Sequence, residues 1–114
     1  FLRARLQQQD SVIFAAIAAA QVVGFTQLYP SFSSVSLQRI WILNDLYVAA
    51  SDRRQGWARQ LLQAAATFAQ STGAIRLVLA TQAENTAAQA LYESLGYQQN
   101  TEFHHYALWL KPQT

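Results

Sequence analysis

Cysteine and methionine are absent from this chain of 114 residues, and Lys111 is its only lysine. Without cysteine the chain forms neither disulfides nor thiolate metal sites, a composition that we expect of a cytoplasmic protein. A translated chain begins with methionine and this one begins with Phe1, so we expect residues to be missing upstream.

Charge and long apolar runs are also scarce. Charged residues make up 12% of the chain, the net charge is +2, and the arginines are spread along the sequence. A nucleic-acid-binding protein would carry a longer basic stripe, so no nucleic acid is expected as a partner. No apolar run reaches the roughly 18–20 residues of a membrane span, so no membrane is expected either. A hydrophobic fraction of 52% and this length predict a single globular domain over residues 1–114.

Two short apolar runs near the start of the chain predict a pair of buried strands. They cover residues 12–18 and 21–28, and the second is rich in β-branched and aromatic residues. The two residues between them, Ala19 and Ala20, predict a hairpin, although alanine is not the residue that such turns favour. Two leucines one helical turn apart lead us to interpret residues 1–9 as the end of a helix.

The strongest strand pattern is Arg39–Val48, which is apolar on both faces as a central strand requires. Two polar residues in its middle, Asn44 and Asp45, predict a bulge or a functional site. The preceding segment, residues 29–36, contains Pro30 and four serines and is interpreted as a loop or a strand end.

Helices and single strands alternate in the second half of the chain. Alanine and leucine at three- and four-residue spacing predict a helix over residues 56–72, and Gly73 lies where a helix-terminating glycine belongs. The further predicted elements are a strand over residues 74–80, a helix from Asn85 or Thr86 to Leu95 with a capping box formed by Thr86 and Gln89, a terminating Gly96, and a strand over residues 104–110. This order predicts an α/β (α+β) fold with a mixed sheet flanked by helices.

The segment from Leu46 to Leu62 carries the clearest chemical signal. A buried strand runs into an arginine-rich loop, then Gly56, then a helix with an apolar stripe. A helix start offers backbone N–H groups and the positive end of the helix dipole, so a phosphate or pyrophosphate fits there. The alternative is an ordinary connection with solvated arginines. The patterns G-x-x-x-x-G-K-[ST] and G-x-G-x-x-G are both absent, which disfavours a nucleotide P-loop and a dinucleotide fold.

Two motifs resemble those of the GNAT acetyltransferase superfamily. Residues 53–58 (RRQGWA) resemble the signature R/Q-x-x-G-x-G/A, and residues 85–97 (NTAAQALYESLGY) resemble N-x-x-A-x-x-L/F-Y-x-x-x-G-F/Y. They occur in the family's order with a predicted strand between them, and the resemblance covers residues 12–110. Arg54 stands where the family often has glycine, and Ala58 replaces the second glycine of the signature.

The resemblance implies the GNAT acyl-CoA N-acyltransferase fold. This is a mixed, mostly antiparallel sheet flanked by helices, here without the N-terminal strand and helix with which the family begins. Acetyl-CoA would be the co-substrate, with no metal. Its pantetheine arm would pair with an exposed strand, and the loop amides would bind its pyrophosphate. The cofactor-binding residues implied are Leu46, Tyr47, Val48, Arg53, Arg54, Gln55, Gly56, Trp57, Ala58, Arg59, Asn85 and Tyr92.

Candidate catalytic residues follow from the resemblance and from burial. Tyr92 would protonate the leaving thiolate, whereas taken alone it is a half-buried aromatic on a helix. Asp45 is the candidate general base, because a carboxylate inside a buried strand is costly without a purpose. The alternative for Asp45 is a carboxylate hydrogen-bonded at the bulge. Asn44 stands where relatives commonly carry glutamate, and asparagine cannot accept the proton. His104 and His105 are a further titratable pair, with a strand start as the alternative and no third ligand for a metal.

The function that the resemblance implies is N-acetylation of a primary amine by direct attack in a ternary complex. The acceptor would be a small amine, a polyamine or an amino-acid-like molecule. The alternatives are a peptide or protein N-terminal acetyltransferase and a non-catalytic acyl-CoA-binding module. The missing start would contain one wall of the acceptor pocket, and exposed sheet edges would allow a homodimer.

Overall fold

The computed structural model describes residues 2–8, 11–33, 38–101 and 106–111, and for residues 2–8 it describes the backbone alone. The chain divides into two compact units, Phe1–Thr81 and Gln82–Thr114. The elements are strands β1 (Leu2–Gln8), β2 (Ser11–Ala18), β3 (Gln21–Phe32) and β4 (Arg39–Val48), helix α1 (Trp57–Ser71), strand β5 (Arg76–Val78) and helix α2 (Thr86–Ser94).

The first unit is built on one five-stranded sheet in the order β1-β2-β3-β4-β5. The first four strands are antiparallel neighbours, whereas β5 runs parallel to β4. A parallel pair needs a crossover connection, which α1 provides between the two strands. The mixed, mostly antiparallel sheet with helical elements is the predicted architecture, and β4 lies inside the sheet as its apolar pattern predicts.

The turn between β2 and β3 confirms the predicted hairpin. Ala19 and Ala20 both have positive φ, at 51° and 63°. A two-residue hairpin loop of this kind matches the right-handed twist of its strands, but it requires the left-handed region at both positions. The strand pairing therefore holds two alanines in a conformation that residues with a Cβ avoid.

The interpretation of residues 1–9 as the end of a helix is wrong. Leu2–Gln8 form β1, which pairs antiparallel with β2 from Leu2↔Ile17 to Gln8↔Ser11. A spacing of four residues places two leucines on one face of a helix, but it also places them on one face of a strand. The pattern of so short a segment fits a helix and a strand alike, and its pairing with β2 makes it a strand. The predicted loop or strand end at residues 29–36 begins as strand, because β3 continues through Pro30 to Phe32.

Helix α1 covers one face of the sheet. Its apolar stripe is buried as predicted, and it contacts β2, β3, β4 and β5. Phe68 packs edge-to-face on Phe14 of β2 and Trp41 of β4, with ring centroids 5.6 and 5.1 Å apart. At the end of the helix, Trp41 Nε1 donates to Thr72 Oγ1 at 2.9 Å, and Gly73 has a φ of +81° as its predicted capping role requires.

The second unit contains α2, preceded by Asn85 and followed by Gly96, whose φ of +94° fits the predicted helix termination. The predicted strand over residues 104–110 is only partly testable. His104 and His105 lie outside the described residues, and residues 106–110 are described but do not form a strand. Tyr106 and Leu108 are there 93% and 84% exposed, so the alternating pattern of the described residues does not correspond to a buried face.

Candidate active site

A bulge interrupts β4 where the sequence places two polar residues. Thr26 of β3 is opposite Leu46, and Leu28 is opposite Leu43. Asn44 and Asp45 therefore face a single β3 residue between those pairs. Two residues against one is the definition of a β-bulge, which bends the strand and increases its twist. The prediction of a bulge at this position is confirmed.

Beyond the bulge, β4 parts from β5. The parallel pairing of the two strands runs from Ile40↔Arg76 to Ile42↔Val78, where β5 ends, while β4 continues to Val48. Over residues 43–48, β4 is paired in the described sheet with β3 alone. The second half of β4 therefore has an edge without a strand partner in the described sheet, on the side from which β5 has parted, and we call this unpaired side the opening.

The backbone hydrogen bonds of β4 show which peptide groups face this opening. The Ala49 N–H donates to the Val23 carbonyl at 2.8 Å, which makes these two residues a hydrogen-bonded pair. Opposite residues in an antiparallel ladder alternate between hydrogen-bonded and non-hydrogen-bonded pairs. Since the register is continuous, Tyr47 bonds with β3, whereas Leu46 and Val48 direct their N–H and C=O groups toward the opening.

The loop after β4 is shaped by two residues with left-handed backbone conformations. After a 3₁₀ turn at Ala50–Asp52, Arg54 has a φ of +65° and Gly56 a φ of +84°. A Cβ at Gly56 would meet nothing within 4 Å, so its glycine is required by the backbone angle rather than by space. The frequent glycine of the family at position 54 has the same physical explanation.

Helix α1 begins at Trp57 with the features of an anion site. Among the described residues no side chain caps its start, and its first turn contains no acidic residue. The first N–H groups of a helix have no acceptor within the helix, and the helix dipole places positive potential at them. Arg53, Arg54 and Arg59 carry exposed side chains around this end, and Arg53 Nε donates to the Val48 carbonyl at 3.0 Å. The loop and the end of β4 are thus tied together.

The burial predicted for the Asp45 carboxylate is wrong. Its side chain is exposed, and Asn44 Nδ2 donates to its Oδ2 at 3.4 Å. The bulge turns this carboxylate to the surface, so no cost of burial singles it out. The buried polar side chain at the bulge is instead Thr26, whose Oγ1 donates to the Asp45 carbonyl at 2.7 Å. A threonine between apolar residues of the predicted strand was the only sequence signal for it.

A second residue that the sequence reasoning passed over is Gly24 on β3. A Cβ built on it would lie 2.7 Å from the Tyr47 carbonyl oxygen and 3.3 Å from Leu61 Cδ1. Glycine inside a strand marks a close backbone approach, and here that approach brings β3 against β4. A glycine within an apolar strand pattern indicates such an approach from the sequence alone.

In the second unit, Asn85 is the N-cap of α2. Its Oδ1 accepts from the Ala88 N–H at 3.1 Å, which confirms the capping role. The predicted capping box of Thr86 and Gln89 is wrong. Gln89 Nε2 donates instead to the carbonyls of Gln82 and Ala83, because its position one residue beyond the third helical residue lets it reach the loop before the helix.

Tyr92 lies on α2 and packs on Tyr97, with ring centroids 6.0 Å apart. Burial raises the pKa of the Tyr92 phenol above its ordinary value of about 10. Burial also raises the pKa of Tyr97, and the charge of an ionised Tyr92 adds to that effect. Both phenols therefore keep their protons at neutral pH, as a proton donor must.

The described residues contain no group of three or more histidine, cysteine, aspartate or glutamate side chains that could hold a metal ion. Among the described helices, none combines the length and the apolar character needed to cross a membrane.

The comparisons with known proteins agree with the two motifs. The model of the acetyltransferase (GNAT) family matches residues 1–97. The chain is 49% identical over 108 residues to the uncharacterized N-acetyltransferase YhfO of Bacillus subtilis, and the match covers 95% of this chain and 72% of YhfO.

Solved structures agree as well. The crystal structure of a probable acetyltransferase matches with a TM-score of 0.82 at 47% identity, covering 92% of this chain and 71% of that one. An aminoglycoside N-acetyltransferase in complex with CoA matches with a TM-score of 0.77 over 90% of this chain and 78% of its own. At 23% identity that second likeness shows the fold alone. The chain belongs to the GNAT family of acetyltransferases.

Proposed function

We propose that this acetyltransferase transfers the acetyl group of acetyl-CoA to a primary amine by direct attack in a ternary complex. The observation that carries the proposal is the opening beside β4. It presents the outward peptide groups of Leu46 and Val48 and leads to an uncapped helix start with arginines around it. A pantetheine arm requires amide hydrogen-bond partners, and the pyrophosphate that follows it requires an anion site.

In the proposed complex, the amides and side chains of the loop hold the pyrophosphate. Gly56 and Ala58 add little bulk there, and Arg53, Arg54 and Arg59 supply positive charge. The uncapped start of α1 fits this role because it offers N–H groups with no acceptor inside the helix. Gln55 and Trp57 are assigned to cofactor binding because they lie in the same segment of the chain. A cofactor contact is assigned to Asn85 on the family resemblance alone, and within its own unit its Oδ1 accepts from the Ala88 N–H as the cap of α2.

The bond changes define what the remaining residues must do. The amine nitrogen attacks the thioester carbonyl carbon, and the oxygen becomes negatively charged. The C–S bond then breaks as the carbonyl reforms, leaving an amide and a thiolate. The attacking neutral amine loses one proton as the amide forms, one proton must reach the thiolate, and a cationic acceptor must lose a further proton before it attacks. We assign protonation of the thiolate to the Tyr92 phenol, which is protonated at neutral pH. We assign deprotonation of the amine to Asp45, directly or through water.

The acceptor is proposed to be a small amine, a polyamine or an amino-acid-like molecule. The support is indirect. The residues around the bulge, Asn44 and Asp45, are exposed and polar, and Asp45 is acidic, which suits a cationic amine. YhfO is named an N-acetyltransferase, and one protein of the same fold is an aminoglycoside N-acetyltransferase. A panel of polyamines, amino acids, aminoglycosides and peptides, assayed for released thiol, identifies the class, and a clear preference for peptides would contradict this assignment.

The test of the mechanism is the Tyr92→Phe variant. We expect kcat to fall by roughly 100-fold, the low end of general acid–base contributions, with the calorimetric Kd for acetyl-CoA nearly unchanged. Tyr97→Phe is the matched control, because it removes a phenol from the neighbouring ring and should leave kcat close to that of the wild type. An unchanged kcat in Tyr92→Phe would remove it from the donor role. Absence of acetyl-CoA binding at about 1 mM, the upper end of usual KM values, would overturn the proposed function.

A further inference from the structure

Thr26 is a polar residue in the core of the first unit, and no sequence motif includes it. Its side chain is 0% exposed on β3, directly opposite Leu46. The geometry points to Thr26 as a positioning residue that aims the Leu46 N–H group into the opening beside β4. This inference rests on the proposed function and adds to it the group that would orient a backbone donor for the reaction.

The hydroxyl of Thr26 acts on the bulge itself. Thr26 Oγ1 donates to the Asp45 carbonyl at 2.7 Å, a bond between residues 19 positions apart in sequence. At a bulge the regular ladder is disrupted, and one strand has an extra residue to accommodate. Thr26, on the neighbouring strand, supplies a donor to the carbonyl of Asp45, the second residue of the bulge. The bulge is therefore held by a specific bond and not only by the packing of β3 and β4.

Planarity of the peptide bond carries this constraint to Leu46. The Asp45 carbonyl and the Leu46 N–H belong to one peptide group, and the described chain contains no cis peptide bond. In a trans peptide the C=O and N–H point in opposite directions within one plane. A carbonyl held toward Thr26 on β3 consequently holds the N–H away from β3. That is the direction which the alternation of the β3–β4 ladder gives independently.

The direction of this N–H matters for acetyl transfer. The oxygen of the attacked thioester becomes an anion, and a preorganised N–H donor stabilises it without any reorganisation during the reaction. Removing one such donor costs about 10²–10³-fold in kcat in well-characterised hydrolases. Loosening the donor while leaving it present should cost less. We therefore expect about a 10-fold fall in kcat when the Thr26 hydroxyl is removed, with little change in acetyl-CoA affinity.

The experiment compares Thr26→Val, which keeps the branched shape and removes the hydroxyl, with Thr26→Ser, which keeps the hydroxyl. Thr72→Val is the matched control. It removes another threonine hydroxyl, one that accepts a part-buried hydrogen bond from Trp41 Nε1 at 2.9 Å at the far end of α1. We expect Thr26→Val alone to lower kcat, Thr26→Ser to restore most of it, and Thr72→Val to lower only the melting temperature. All assays are run well below the lowest melting temperature.

Three outcomes would overturn the inference: an unchanged kcat in folded Thr26→Val, an equal loss in Thr72→Val, or no rescue by Thr26→Ser. If Thr26→Val does not fold, Thr26→Cys replaces it, because a thiol is a much weaker donor of similar size. A readout independent of activity is the NMR order parameter of the Leu46 N–H, which should fall in Thr26→Val and not in Thr72→Val. If the wild type transfers no acetyl group, the proposed function fails while the order parameters still decide whether Thr26 holds this peptide.

Discussion

At the scale of single residues, the loop after β4 keeps a charged side chain where the backbone favours glycine. Arg54 has a φ of +65° and an exposed side chain. The left-handed region costs an L-residue about 1–2 kcal/mol. Strain of this kind persists where the surrounding structure over-determines it, and it concentrates at binding loops. The positive charge that the Arg54 guanidinium brings near the start of α1 would explain why an arginine is kept here despite this cost.

The Arg54→Gly variant tests this balance. Relief of the left-handed strain, less the conformational entropy that glycine loses on folding, should raise the free energy of unfolding by about 0.5–1 kcal/mol. Urea denaturation measures this value. The matched control is Arg53→Gly, at a φ of −71° and a ψ of 159°, where glycine relieves nothing and the bond to Val48 is lost. Stabilisation by both changes, or by neither, would contradict the role assigned to the Arg54 backbone.

Single residues of the site differ in how far the sequence could predict them. The uncapped helix start and the bulge at Asn44 and Asp45 were both predictable, because glycine and adjacent polar residues in an apolar strand have few other structural uses. The exposure of Asp45 was not, since a bulge changes which face a side chain occupies. The bond made by Thr26 was not predictable either, because it depends on the register between two strands rather than on either one.

At the scale of elements, the β2–β3 hairpin folds with a turn that its own sequence disfavours. Ala19 and Ala20 hold φ values of 51° and 63° because the paired strands on both sides leave only two residues for the reversal. Strand pairing thus overrides turn preference. The same override acts at β1, where pairing with β2 prevails over a leucine spacing that is compatible with a helix. Hydrophobic periodicity predicted the positions of the longer elements. The structure of the short elements depends on the strand with which they pair, and that strand lies outside the short stretch of sequence in which periodicity is measured.

Replacing Ala19-Ala20 by Asn-Gly should stabilise this hairpin. Asparagine and glycine adopt the left-handed region at little cost, so we expect the free energy of unfolding to rise by about 1–2 kcal/mol. Chemical denaturation followed by circular dichroism measures the change. Ala49→Gly is the control, at a φ of −57°, where glycine should destabilise the fold by roughly 0.5–1 kcal/mol. A double variant no more stable than the wild type would show that the turn is unstrained.

At the scale of the whole molecule, the chain forms two compact units with different kinds of packing, and the single domain over residues 1–114 stays a prediction. The first has a sheet and a helix with a shared core of side chains such as Leu28, Leu61 and Leu62. The second contains α2, in which no residue is fully buried, and burial raises the pKa of Tyr92 and Tyr97 there. Alkaline pH should therefore act on the second unit through these two phenols.

The overall folding equilibrium should therefore depend on alkaline pH. Burial raises the folded-state pKa of Tyr92 and Tyr97, whereas in the unfolded chain both ionise near pH 10. Below about pH 10 both states keep their protons, so the stabilisation is fully present. Above it the unfolded chain loses protons first, and the free energy of unfolding falls until the folded-state pKa values are passed. Urea denaturation between about pH 8 and pH 11 measures the decline. The Tyr92→Phe, Tyr97→Phe double variant should lose most of it, and a decline of the same size in that variant would place the titrating groups elsewhere.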